Sequence, residues 1–178
     1  MFDNGAFSAK TRGYTFDRSG FYRWVEPHLA HPHWAVVPDV IDGCVEQQRE
    51  LIKTWPFRKE FGIPVWHLGL PIDYLLELCD IWGRVCLGSA GRYWQIGSPE
   101  WRGRMDEIFD AMTHTFGAQL PWVHGLRMLG QAAGPWPLAS ADSTNVGRNF
   151  KRDTGCAECK ARPIDLVNPP GRWEIQLW

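Results

Sequence analysis

An α/β fold with parallel strands, of the compact or incomplete TIM-like (β/α) barrel kind, is what this chain predicts, and three observations carry it. Short apolar runs alternate with segments of helical spacing along most of the sequence, the order that parallel strands joined by crossover helices require. Five of those runs end on polar or glycine chemistry: Phe2-Asp3-Asn4-Gly5, Val36-Val37-Pro38-Asp39, Val65-Trp66-His67, Val85-Cys86-Leu87-Gly88-Ser89 and Leu138-Ala139-Ser140-Ala141-Asp142. In a barrel of parallel strands every C-terminal strand end opens onto one mouth, so residues distant in sequence converge there. The length of 178 residues suits a single domain but falls short of the ~250 residues of a complete eight-stranded barrel. Strands are therefore missing or connections minimal.

The first strand surrounds Phe2, with almost no chain before it. Either the native start lies upstream or the barrel is closed by something else, such as the C-terminal tail or a second subunit. Ser19 can cap a helix that places Phe21, Trp24, Val25 and Leu29 on one face, and Pro27 ends it near Glu26. His33 to Val37 reads as a buried strand, and Gly43 to Thr54 as an amphipathic helix with Cys44, Leu51 and Ile52 inward. Ile63 to Leu68 is the next strand. Pro71 opens a helix whose inward stripe is Ile72, Leu75, Leu76 and Cys79. Arg84 to Leu87 returns as a strand. Ser98 as cap and Pro99 in the first turn begin the clearest helix, with Trp101, Met105, Ile108, Phe109, Met112 and Phe116 at helical spacing. Trp122 to Leu126 and Trp136 to Ala141 complete six strands. Residues 1–178 form one domain, with 153–178, rich in Pro163, Pro169, Pro170 and Gly171, an irregular tail packed on it.

Composition narrows the class. No run approaches the ~20 apolar residues of a membrane helix and no signal peptide is visible, so a soluble cytoplasmic protein with no membrane partner is expected. Five cysteines read as reduced thiols. The net charge of −1 does not announce a nucleic-acid binder. Locally, Arg148, Lys151, Arg152, Lys160 and Arg162 face only Asp153 and Glu158, which suits a solvated surface segment or one that contacts phosphates. Most of the eleven tryptophans fill the core; Trp66, Trp94 and Trp136 lie nearest the expected mouth and are candidates to stack a base.

A carboxylate ending a strand is commonly a turn former or helix cap, and the repetition is what raises these above that reading. Asp142 and Asp3, brought to one mouth, make the carboxylate pair of glycosyl chemistry: one attacks or stabilises the anomeric carbon, the other moves the leaving group's proton. Asp39, with Asp42 as alternative, can hydrogen-bond the edge of a base. His67 adds a donor or acceptor, and Gly88 with Ser89 lets a planar ring approach the backbone.

Taken together, Asp3-Asn4-Gly5-Ala6-Phe7, Pro38-Asp39-Val40, Pro64-Val65-Trp66-His67, Leu87-Gly88-Ser89, His124-Gly125-Leu126 and Ala139-Ser140-Ala141-Asp142-Ser143-Thr144 resemble the queuine/archaeosine tRNA-guanine transglycosylase superfamily, nearest its phage-associated branch that inserts deazapurines into DNA. The resemblance implies that Asp142 is the nucleophile at C1′, Asp3 the acid/base group, and Asp39 the acid that reads the purine. It implies substrate-binding positions at Asn4, His67, Gly88, Ser89, Ser143 and Arg148, where His67 replaces the family's usual Gln. The partners it implies are nucleic acid, DNA in preference to tRNA because the tRNA enzymes' insertions are missing, a 7-deazapurine base, and a second copy in a homodimer. No cofactor is expected: Cys156 and Cys159 are half of the family's zinc ligand set, with no third Cys nearby and no His after them. Two alternatives stand beside base exchange, a DNA glycosylase that sends water to the same intermediate, and an inactive barrel used as a binding module.

Overall fold

The computed structural model of the chain describes residues 1–143; the expected tail over 153–178, Arg148 and the Cys156/Cys159 pair lie outside the described residues. The architecture is α/β with parallel strands. In chain order the elements are α1 (Ala6–Arg12), α2 (Arg18–Val25), β1 (Ala35–Val36), α3 (Val45–Ile52), β2 (Gly62–Ile63), β3 (Val65–His67), α4 (Ile72–Trp82), β4 (Arg84–Gly88), α5 (Pro99–Phe116), β5 (Trp122–Gly125) and β6 (Ser140–Ala141).

Every pairing is parallel and follows chain order. Phe2 forms an isolated bridge to Ala35, β1 pairs with β2, and β3, β4, β5 and β6 form a four-stranded sheet in that sequence. Pro64 separates β2 from β3, as a residue without an N–H must interrupt a ladder. Its carbonyl still accepts from Cys86 N at 2.8 Å, so the chain stays beside β4 through the break. Neither sheet closes on itself among the described residues.

Strand alternation divides the side chains between two faces. On the outer face Trp66, Leu68, Val85, Leu87 and Val123 pack with Leu75, Leu78 and Cys79 of α4 and Trp101, Met105, Ile108 and Met112 of α5. Ala35 and Val37 likewise meet Phe21 and Val25 of α2. The inner face carries Val36, Ile63, Val65 and Cys86, closed at one end by Trp34 and Trp122, whose rings meet edge to face at 5.1 Å.

Several elements differ from the sequence expectation. The first strand shrinks to the Phe2 bridge, and the run from Trp136 yields a strand only at Ser140–Ala141. Asp17, not Ser19, caps α2, its carboxylate accepting from Gly20 N at 2.9 Å. Cys44 is exposed at the N-cap of α3, where the buried position belongs to Gln48. On α4 the buried stripe is Tyr74, Leu75, Leu78 and Cys79; Ile72 and Leu76 pack at its margin. The seven-residue α1 was not expected at all; Gly5 enters it with φ 77°, a conformation glycine adopts without penalty. Ser98 caps α5 as expected, accepting from Trp101 N at 3.2 Å. No helix among the described residues is long and apolar enough to cross a membrane.

Candidate functional site

The C-terminal strand ends meet at a cavity of about 150 Å³ whose wall includes Asp3, Asn4, Asp39, His67, Gly88, Ser89 and Asp142. Parallel pairing in chain order is the reason: each strand delivers its last inward-facing residue to the same edge. Cys86 lies buried within reach of this convergence. Burial pushes its thiol well above the ordinary value, and the negative charges of Asp142, Asp39 and Asp3 all push the same way. Three carboxylates from three strand ends therefore bear on one buried atom.

Asp142 follows β6 and is anchored from β5. Its Oδ1 accepts from the backbone N–H of Arg127, a non-glycine residue with φ 61°, an uncommon backbone state that turns the amide toward the carboxylate. Its Oδ2 stands 3.7 Å from Nε2 of the buried His124, an electrostatic contact longer than a hydrogen bond. Burial pushes this carboxyl up, but His124 and the amide and guanidinium of Arg127 outweigh it, so Asp142 sits below the usual aspartate value. The result is a carboxylate kept ionised at the cavity mouth, the state a nucleophile requires.

His124 is in turn fixed by Ser140, whose Oγ lies 2.6 Å from Nδ1. Trp122 lies parallel to it at 6.0 Å and 11°, and Trp34 meets it edge-on at 5.8 Å. The two indoles thus flank the His124 ring.

The second carboxylate, Asp3, accepts from Gly5 N at 3.3 Å through Oδ1 and lines the same cavity. Beside it Asn4 is buried and Asp39 and His67 are paired: His67 Nε2 lies 2.7 Å from Asp39 Oδ2, with side chains 8% and 6% exposed. Asn4 Nδ2 donates to Asp39 Oδ1 at 2.9 Å and to Val37 O at 3.0 Å. Asp39 thus holds two neighbours at once. Gly88 is required here, because a Cβ at that position would stand 2.7 Å from His67 Nδ1.

Ser89 presents its carbonyl to the Arg127 guanidinium, while its Oγ accepts from Trp101 Nε1 at 2.9 Å. The Arg127 guanidinium also lies 5.0 Å from the ring centre of Phe7, and both residues belong to the cavity wall.

Some expected contributors are elsewhere. Asp42, the alternative to Asp39, is an exposed partner of Lys10. Trp66 and Trp136 are buried in the helix-facing core, because their strand and loop positions point outward, so neither can stack a base; Trp94 is 66% exposed and outside the cavity wall. Ser143 is described but is not part of that wall. Sequence reasoning did not assign roles to His124 and Arg127, although His124 repeats the signal of His67, a histidine near the end of an apolar strand. Among the described residues no group of three or more His, Cys, Asp or Glu side chains is arranged to hold a metal ion. No family model, curated protein or solved structure matches the chain.

Proposed function

We propose that this chain is a transglycosylase acting on nucleic acid, exchanging guanine for a 7-deazapurine in DNA through a covalent Asp142–sugar intermediate. The observation that carries the reading is the delivery of Asp3 and Asp142 from opposite ends of the strand series to one cavity. The strands before that cavity, parallel and in chain order, fit an incomplete (β/α) barrel.

Asp142 Oδ attacks C1′ as the bond to the guanine nitrogen breaks, and Asp3 in its acid form gives the departing base its proton. The incoming deazapurine nitrogen then attacks C1′, Asp142 leaves as carboxylate, and Asp3 receives the proton of the new base. The cavity, about 150 Å³, is a recess at the strand ends that duplex DNA is too wide to enter. The target nucleotide must accordingly be turned out of its stack. Asn4, His67, Gly88 and Ser89 would line the base, with Asp39 acting through His67 and Asn4.

The deciding experiment incubates the full chain with guanine-containing DNA, denatures the mixture, and maps any protein–DNA linkage by mass spectrometry. Linkage at Asp142, lost in Asp142→Ala, together with incorporation of labelled 7-deazaguanine into intact strands, is the expected result. Abasic sites without incorporation would assign hydrolysis instead. No linkage and no base change with single-stranded or duplex DNA would remove the enzymatic reading.

A further inference from the structure

Beside the carboxylate pair, a hydrogen-bond chain runs from the backbone to a single unused nitrogen. Asn4 Oδ1 accepts from Ala6 N at 2.7 Å, and Asn4 Nδ2 donates to Val37 O at 3.0 Å. A backbone N–H can only donate and a backbone C=O only accept, so these two contacts fix which end of the carboxamide is which. Nδ2 therefore donates to Asp39 Oδ1 as well. Asp39, as a carboxylate, is acceptor-only, so the His67 nitrogen at 2.7 Å from its Oδ2 must carry the hydrogen.

With the ring neutral, that assignment leaves Nδ1 as the lone-pair nitrogen. Among the described residues it has no hydrogen-bond partner although it is buried. A Cβ at Gly88 would stand 2.7 Å from it, so only the bare glycine backbone lies against it, and both residues line the cavity. A buried acceptor without a donor is uncommon in folded proteins and requires an explanation.

We infer that His67 Nδ1 is a fixed acceptor that selects bases presenting an N–H toward it, and that the Asn4–Asp39–His67 chain sets this preference from the backbone. The identity of the ligand as a purine-type base rests on the transglycosylase reading; the tautomer does not. Asp39 then determines selectivity without touching the base.

The prediction has an inversion built into it. In Asp39→Asn the carboxamide oxygen can still accept from Asn4, so its NH2 must face Nε2. The ring proton is forced to Nδ1, and the acceptor becomes a donor.

The test is 15N NMR of the histidine rings in the full chain, with His67 assigned by its loss in His67→Gln. The same samples are titrated with 7-deazaguanine and its 1-methyl and N2,N2-dimethyl derivatives. The expected result is a hydrogen on Nε2 alone in the parent chain and on Nδ1 in Asp39→Asn. Methylation of the donor facing His67 should weaken binding on the order of tenfold to a hundredfold in the parent chain and leave His67→Ala nearly unaffected. A hydrogen on Nδ1 in the parent chain overturns the inference, and that spectrum also decides the matter if Asp39→Asn does not fold. Methylated bases that bind the parent chain as well as 7-deazaguanine overturn the selectivity alone. The stated tautomers with no binding by any of the three bases overturn the base-binding reading and leave the hydrogen-bond chain standing.

Discussion

His124 Nε2 faces Asp142 Oδ2 across 3.7 Å, with Ser140 behind the imidazole at 2.6 Å. A strand residue from β5 therefore helps hold down the carboxyl of a residue that follows β6. Replacing His124 with Ala removes one of the influences that hold the Asp142 carboxyl down, so its titration moves toward higher pH. The acid limb of covalent-adduct formation, followed as rate against pH, should move in the same direction. The rate at neutral pH should change less than the rate in acid, since the Asp142 carboxyl is ionised there with or without His124.

The same depressed carboxyl has a stability consequence of definite sign. A group with a folded value below its unfolded one stabilises the fold above the unfolded value, roughly pH 4, and loses that contribution as pH falls through the folded value. Asp142→Asn should therefore narrow the difference from the parent chain in acid. Thermal denaturation at neutral pH and near pH 3 measures it.

Gly88→Ala should disrupt the site more than its one methyl suggests. The new Cβ would fall 2.7 Å from Nδ1 and 3.0 Å from Cε1 of His67, and the ring is held by Asp39. Overpacking of this kind costs about 1–3 kcal/mol. Denaturant titration should show the loss, with weakened 7-deazaguanine binding beyond it.

Gln48 anchors the loop that carries Asp39. Its Oε1 accepts from Val40 N at 3.1 Å and its Nε2 donates to Val40 O at 2.5 Å, with the side chain buried on α3. Gln48→Leu keeps bulk but strands both backbone groups, a cost of about 1–3 kcal/mol for each one left unsatisfied. Chemical denaturation checks the loss, and the His67 ring spectrum should broaden as Asp39 loses its fixed position.

Ser98→Ala offers a control away from the chemistry. Removing the cap that accepts from Trp101 N costs about 1 kcal/mol. The melting temperature should fall without a change in the pH profile of adduct formation.

The sequence was most legible where one local signal suffices. Ser98-Pro99 marks the start of α5, and short apolar runs mark β3, β4 and β5. The strand ends Asp3, Asp39, His67, Gly88, Ser89 and Asp142 do share one cavity, since parallel order leaves them no other edge. What local pattern could not supply was partnership. Gln48 looks like a surface helix residue until Val40 is folded against it. Asn4 looks like a turn former, and its hold on Asp39 spans 35 positions of chain. Trp66 lies next to His67 in sequence, yet strand alternation sends the two to opposite faces. Helix α1 was missed because seven residues give too little periodicity to register.

That alternation gives β4 something like a reading frame. Val85 and Leu87 belong to the helix-packed core, while Cys86 and Gly88 face inward. Deleting one residue ahead of the strand would swap the two sets, turning aliphatic side chains into the cavity and a thiol toward the helices. A point substitution disturbs the contacts of one side chain, whereas a single-residue insertion or deletion in the strands should disrupt the core and the cavity together. Length changes should survive only in the connections on the far side from the cavity.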